Sequence, residues 1–221
     1  MSTLVVGHAA NTPSKVARYL SSGADGVEID VFWPEIAHPP ENQPKRLSGA
    51  VARWVLHAFT TRLRKYRVVE VLDAARKMGA KVIVLDIKTA PPHAFEDIGD
   101  VIFTSKNHPL LHRLAKKWGH IVYPTLHSRP VRPWEVIMKA GGKGASIHYS
   151  FVDEELIHEF RVRGLGLMVW TVNDAATAMK LADAGVNFIT TDRPELVAPA
   201  VKYGVLPPLY GIYRKASGFN H

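Results

Sequence analysis

Short apolar runs alternate with amphipathic stretches from one end of the chain to the other. The strand candidates are Leu4 to Gly7, Gly26 to Val31, Val82 to Ile87, Val101 to Thr104, Ile121 to Tyr123, Ala145 to Ile147, Leu167 to Thr171 and Asn187 to Thr190. A helix-like stretch is expected after each, so the chain reads as eight successive βα units. Helix starts are marked locally. Thr12-Pro13 places proline in a first turn, Asn173 or Asp174 can cap the next-to-last helix, and Asp192 precedes Arg193-Pro194. Gly23, Gly79, Gly164 and Gly185 stand where helices should stop. Eight βα units of one hand close into a (β/α)8 TIM barrel, so residues 1–221 are expected to form a single α/β domain of that fold. One segment breaks the spacing. Phe32 to Trp54 carries Pro34, Pro39, Pro40 and Pro44 and reads as an inserted loop after the second strand, on the barrel mouth.

Two of the apolar runs contain charges. Val27-Glu28-Ile29-Asp30 and Leu85-Asp86-Ile87-Lys88 each place two charged residues two positions apart, on one face of a strand. Three carboxylates and one ammonium would then face a common space. Burying them is costly unless a cation or a salt partner compensates, so a divalent metal beside an anionic substrate fits the pattern. His8, Ser105, His127, His148, Trp170 and Asp192 also fall at or just past predicted strand ends, the end where a barrel of this kind collects its chemistry.

Composition narrows the chemistry. With 221 residues, 47% of them hydrophobic, the chain can build one sizeable core. The absence of cysteine excludes disulfides and thiolate metal sites, which favours a hard cation bound through oxygen. Mg²⁺ leads that group, with Ca²⁺ and Mn²⁺ as alternatives. No run of about 18 apolar residues spans a bilayer and no basic leader precedes Leu4, so a cytoplasmic location is expected. A single glutamine, Gln43, and no cysteine lean toward a thermophilic source. The net charge of +8 is partly local: Lys45, Arg46, Arg53, Arg62, Arg64, Lys65 and Arg67 come without an intervening acid. That run is either a solvated basic face or a surface for a phosphorylated substrate or an anionic membrane. No nucleic-acid motif accompanies it.

Gly7-His8, Gly23-Ala24-Asp25-Gly26-Val27-Glu28-Ile29-Asp30-Val31, Val84-Leu85-Asp86-Ile87-Lys88-Thr89, Val169-Trp170-Thr171-Val172-Asn173 and Ala184 through Pro194 occur in that order. Through these segments the chain resembles the glycerophosphodiester phosphodiesterase family and its relatives, the sphingomyelinase D type phospholipases. The resemblance implies a metal-dependent phosphoric diester hydrolase acting on glycerophosphodiesters or lysophospholipids. It further implies Glu28, Asp30 and Asp86 as metal ligands, His8 as the first catalytic histidine, Lys88 as a phosphate contact and Trp170 as the substrate-side wall. Asn11, Ser105 and His148 are additional candidate substrate contacts; Asn11 could equally cap the first helix. For the second catalytic histidine the resemblance implies His57, in Arg53-Trp54-Val55-Leu56-His57-Ala58, with His38 of Ala37-His38-Pro39 as its rival.

Two positions depart from the glycerophosphodiesterase pattern. Ala9 stands where an arginine usually follows the first histidine, and Asp86 where a glutamate is usual. Asp86 to Thr89, and Asn11 after His8, are closer to the sphingomyelinase D pattern. A lyase that stops at a cyclic phosphate and a catalytically silent barrel that binds a head group are therefore the alternatives to a hydrolase.

Overall fold

The computed structural model describes residues 2–32, 35–36 and 66–206. Eight parallel strands form the barrel: β1 (Leu4–Gly7), β2 (Gly26–Phe32), β5 (Val82–Thr89), β6 (Ile102–Ser105), β7 (Ile121–Leu126), β8 (Gly144–His148), β9 (Gly166–Trp170) and β10 (Phe188–Thr191). β1 pairs with both β10 and β2, which closes the sheet on itself. Helices α1 (Pro13–Ser21), α2 (Val68–Lys77), α3 (His108–Trp118), α4 (Pro133–Lys139), α5 (Glu154–Val162), α6 (Ala175–Ala184) and α7 (Pro194–Tyr203) surround it. The expected (β/α)8 TIM barrel is the observed fold.

Strand parity builds two apolar regions. Val27, Ile29, Val31, Leu85, Ile87 and Phe103 point outward against α1, α2 and α3, and Val5, Ile147, Val169 and Ile189 against the later helices. Their inward neighbours Val6, Val84, Ile102, Tyr123 and Met168 pack one another inside the barrel. The Tyr123 ring lies across Gly144 and Gly166: a Cβ on Gly166 would stand 2.1 Å from its Oη, and one on Gly144 would stand 2.2 Å from the Gly166 carbonyl oxygen. Only glycine leaves room for the ring and the strand pairing together.

The helix punctuation follows the sequence closely. Thr12 Oγ1 accepts from Lys15 N ahead of Pro13, Asp174 accepts from Thr177 N, and Gly185 closes α6 at φ 98°. Two readings need correction. No α-helix follows β5: the crossover is the single 3₁₀ turn Pro92–Phe95, and the buried Phe95 ring, edge-on to Phe103 at 5.3 Å, pins this short connection to the next strand. Asp192 does not cap the last helix, whose N-cap is Arg193 without a side-chain bond.

After β2, the chain leaves the barrel through β3 (Glu35–Ile36), antiparallel to Phe32, and returns through β4 (Tyr66–Arg67), antiparallel to β3. Most of the inserted segment lies outside the described residues, and His38, His57 and the basic run before Arg67 lie there with it.

At the other end of the barrel, buried Asp25 is fully partnered. Its carboxylate accepts from Val5 N at 3.1 Å, Lys81 Nζ at 3.0 Å and Lys202 Nζ at 2.9 Å, tying β1, β2 and β5 to α7. Burial would raise its pKa, but these donors outweigh it and hold the pKa low.

The Tyr123 contact yields a stability prediction. Gly166→Ala should destabilise by about 1–3 kcal/mol through overpacking, and Tyr123→Leu in the same chain should recover part of that loss. Gly144→Ala should recover less, because its added methyl meets the Gly166 carbonyl oxygen as well as the ring. Denaturant unfolding of the single and double variants measures this; purely additive losses for the Gly166 pair would contradict the packing described.

Candidate active site

The carboxyl ends of the strands surround a cavity of about 200 Å³ lined by His8, Glu28, Asp86, Lys88, Thr104, Lys106, Thr125, His127, Ser146, Met168, Trp170 and Thr190, with Val84 at its base. β2 and β5 pair in parallel with Asp30 opposite Asp86 and Glu28 opposite Val84. That register turns all three carboxylates inward, and oxygens of Glu28, Asp30 and Asp86 lie within 4.8 Å of one another.

Each carboxylate is held by a different neighbour. Ala9, in the left-handed region at φ 51°, directs its N–H onto Glu28 Oε2 at 2.6 Å. Asn11 makes a paired contact with Asp30: its Nδ2 donates to Asp30 Oδ2 at 2.9 Å and its Oδ1 accepts from Asp30 N at 2.9 Å. Of the two roles open to Asn11, helix capping falls to Thr12. Thr104 Oγ1 donates to Asp86 Oδ1 at 3.1 Å. The Lys88 ammonium bridges Asp30, at 2.9 Å, and Asp86.

The electrostatics reflect crowding of like charge. Burial, then repulsion from Asp30 and Asp86, pushes Glu28 up to about 7, although His8 and the Ala9 N–H oppose the shift. Burial works against the charged form of Lys88, but Asp86 and Asp30 outweigh it and raise its pKa.

The donor set suits a divalent cation. Oxygens on opposite sides of an ion bound at 2.0–2.6 Å stand about 4–5 Å apart, so the observed spacing accommodates Mg²⁺, Mn²⁺ or Ca²⁺. The raised pKa of Glu28 is the mark of a cluster short of positive charge, which such an ion would relieve.

His8 stands beside this cluster, its Nε2 3.9 Å from Glu28 Oε2. Its Nδ1 donates to Asp192 Oδ1 at 2.7 Å. Asp192 is itself fixed by Asn173, which donates through Nδ2 to Oδ2 at 2.9 Å and accepts from Asp192 N at 2.8 Å. Because a carboxylate only accepts, the proton of neutral His8 resides on Nδ1 and the lone pair of Nε2 is left free. Burial lowers the His8 pKa, yet the Asp192 bond and the charges of Glu28, Asp192 and Asp30 together raise it. The His8 bond, opposed by burial, draws Asp192 down to about 2.

Trp170 forms the opposite wall, 5.4 Å from His127 and 5.4 Å edge-on from His148. His148 bonds Ser150 Oγ at 2.7 Å and stands behind Trp170. Ser105 is buried, and its hydroxyl donates to Ile87 O at 2.7 Å, fastening β6 to β5. The buried Thr125 Oγ1 and Trp170 Nε1 have no hydrogen-bond partner among the described residues.

Asp192 and Asn173 were the site residues least visible in the sequence as a working pair. Asp192 directly follows β10 and Asn173 lies three residues past β9, and that placement was the available signal. Among the described residues, no helix is long and apolar enough to cross a membrane.

The profile of the Glycerophosphoryl diester phosphodiesterase family matches residues 67–196. The glycerophosphodiester phosphodiesterase of Caldanaerobacter subterraneus subsp. tengcongensis is 23% identical over 244 residues, covering 92% of this chain and 100% of that protein. Among solved structures, a phosphodiesterase of Oleispira antarctica in complex with the product sn-glycerol-3-phosphate superposes with a TM-score of 0.72 at 18% identity, covering 90% of this chain and 97% of the other. The glycerophosphodiester phosphodiesterase of Thermotoga maritima gives a TM-score of 0.66 at 21% identity, with 89% and 97% coverage. Since the family profile spans more than half of its length, the chain belongs to the glycerophosphoryl diester phosphodiesterase family.

Proposed function

We propose that the protein hydrolyses glycerophosphodiesters, with lysophospholipids as a related substrate class, by acid–base catalysis beside a carboxylate-bound divalent ion. The observation that carries this reading is the convergence of His8, oriented by Asp192, with Glu28, Asp30 and Asp86 on one cavity in a member of this family. A divalent cation held by the three carboxylates would draw charge from the phosphate oxygens and lower the barrier to attack.

The chain's own groups account for the proton transfers. With Nδ1 committed to Asp192, His8 presents Nε2 to the cavity as a base. It takes the proton of a substrate hydroxyl; that oxygen bonds to phosphorus, and the leaving alcohol's oxygen departs with a proton from the second histidine. His57 is assigned that acid role, with His38 its rival. Water then opens the cyclic phosphate to a monoester, with the two histidines in reversed roles. Lys88 holds Asp30 and Asp86 in place and, with Trp170, borders the substrate; Asn11 keeps the Asp30 carboxylate facing inward.

Purified protein supplied with Mg²⁺, Mn²⁺ or Ca²⁺ should release a monophosphate from a glycerophosphodiester. His8→Ala should lower kcat by about 10²–10⁴-fold, and Asp192→Ala by a smaller factor with KM little changed, because Asp192 acts through His8. Full activity in His8→Ala would overturn the reading. Phosphorus NMR separates the outcomes: a cyclic phosphate that persists would identify a lyase.

The raised Glu28 pKa has a consequence for metal-free protein. Between 4.5 and about 7 the folded state binds a proton at Glu28 that the unfolded state has released, so stability should fall as pH rises through that window. Glu28→Gln should remove this part of the decline and be the more stable protein at pH 8 in chelator, while losing activity. Thermal unfolding across pH tests both statements; an unfolded variant would mean that Glu28 is structural.

A further inference from the structure

Lys106 follows β6 and lines the cavity next to Thr104 and His127, one strand further round the barrel from Asp86. Its backbone is fixed on both sides. Ser105 Oγ bonds Ile87 O and accepts from Asn107 N at 3.1 Å, while Asn107 Oδ1 accepts from Leu110 N at 3.1 Å to cap α3. The ammonium itself has no hydrogen bond or ion pair with a described residue.

This makes Lys106 different from Lys88, whose charge is already shared by Asp30 and Asp86. The turn after β1 supplies no cation either, since Ala9 is buried with its N–H on Glu28. Among the described residues, Lys106 is therefore the cavity-lining lysine whose charge no carboxylate takes up. Its field reaches the cavity wall: burial, then Lys106, holds the His127 pKa below its ordinary value. Lys106 is exposed at the cavity and no ion pair holds its charge, so an arriving phosphate would find that charge free to meet it.

We propose that Lys106 is a substrate-binding residue whose ammonium grips a non-bridging oxygen of the phosphodiester from the β6 side of the cavity. The role rests on the glycerophosphodiesterase reading above and adds a residue to it. The ammonium's three donors, on a flexible stem, suit a phosphate whose geometry changes during the reaction.

The test compares Lys106→Met and Lys106→Arg with the parent protein, all loaded with Mg²⁺. Inorganic phosphate is the binding probe and a glycerophosphodiester the substrate. Lys106→Met should weaken phosphate binding and raise KM by about 5–20-fold, the size expected of one charge-assisted contact, with a smaller change in kcat. Lys106→Arg should restore most of the loss, and the effect should shrink as salt rises. Thermal stability should be unaltered in both variants. Turnover by the parent with unchanged phosphate affinity and KM in Lys106→Met would overturn the Lys106 role and leave the hydrolase standing. Absence of both turnover and phosphate binding in the parent would overturn the two together.

Discussion

The site depends on the parallel register between β2 and β5. Asp30 stands opposite Asp86 in that pairing, and because side chains alternate along a strand, a slip of β2 by one residue would turn Glu28 and Asp30 out among the helices and leave Asp86 behind. The apolar residues between them hold the register in place. Val27, Ile29 and Val31 are buried in the outer layer, so moving the β2 acids outward would also drive these three off the helices and into the filled barrel. One alternation thus fixes both the packing of the barrel wall and the convergence of charge within it.

Two buried carboxylates at opposite ends of the barrel illustrate what separates a structural acid from a reactive one. Asp25 and Glu28 are three residues apart in sequence and similarly shielded from solvent. Asp25 meets two lysines and a backbone N–H, and its pKa falls. Glu28 meets two further carboxylates, and its pKa rises to about 7. Burial penalises the ionised form in both; the sign is decided by the neighbours. The Asp25 cluster closes the barrel, whereas the Glu28 cluster retains a demand for positive charge that the folded chain only partly meets through Lys88.

Much of this was legible in the sequence because it rests on short-range rules. Apolar alternation located all eight barrel strands, and the Glu28/Asp30 and Asp86/Lys88 spacings identified one face of each strand. What the sequence withheld depends on contacts between distant segments. Asn173 and Asp174 were equivalent as cap candidates, and only the return of β10 beside β9 gives Asn173 to Asp192 and leaves Asp174 to cap α6. Asp192 reads as a helix start because the bond that draws it to His8 crosses the whole chain. Ser105 sits at a strand end as a catalytic residue would, yet its hydroxyl is taken by the neighbouring strand. Replacement of the helix after β5 by one turn goes with Phe95 docking on Phe103 of the next strand, a contact that the regular spacing of units does not reveal.

The tyrosine ring lodged across two glycines has an implication for traffic through the barrel. Among the described residues, Tyr123, Ile102, Met168 and their neighbours fill the barrel beneath the cavity and close it at that end. No passage runs down through that packing, so a substrate that enters at the carboxyl ends of the strands has its products leave on the same side of the barrel. Arrival and departure then share one face of the molecule.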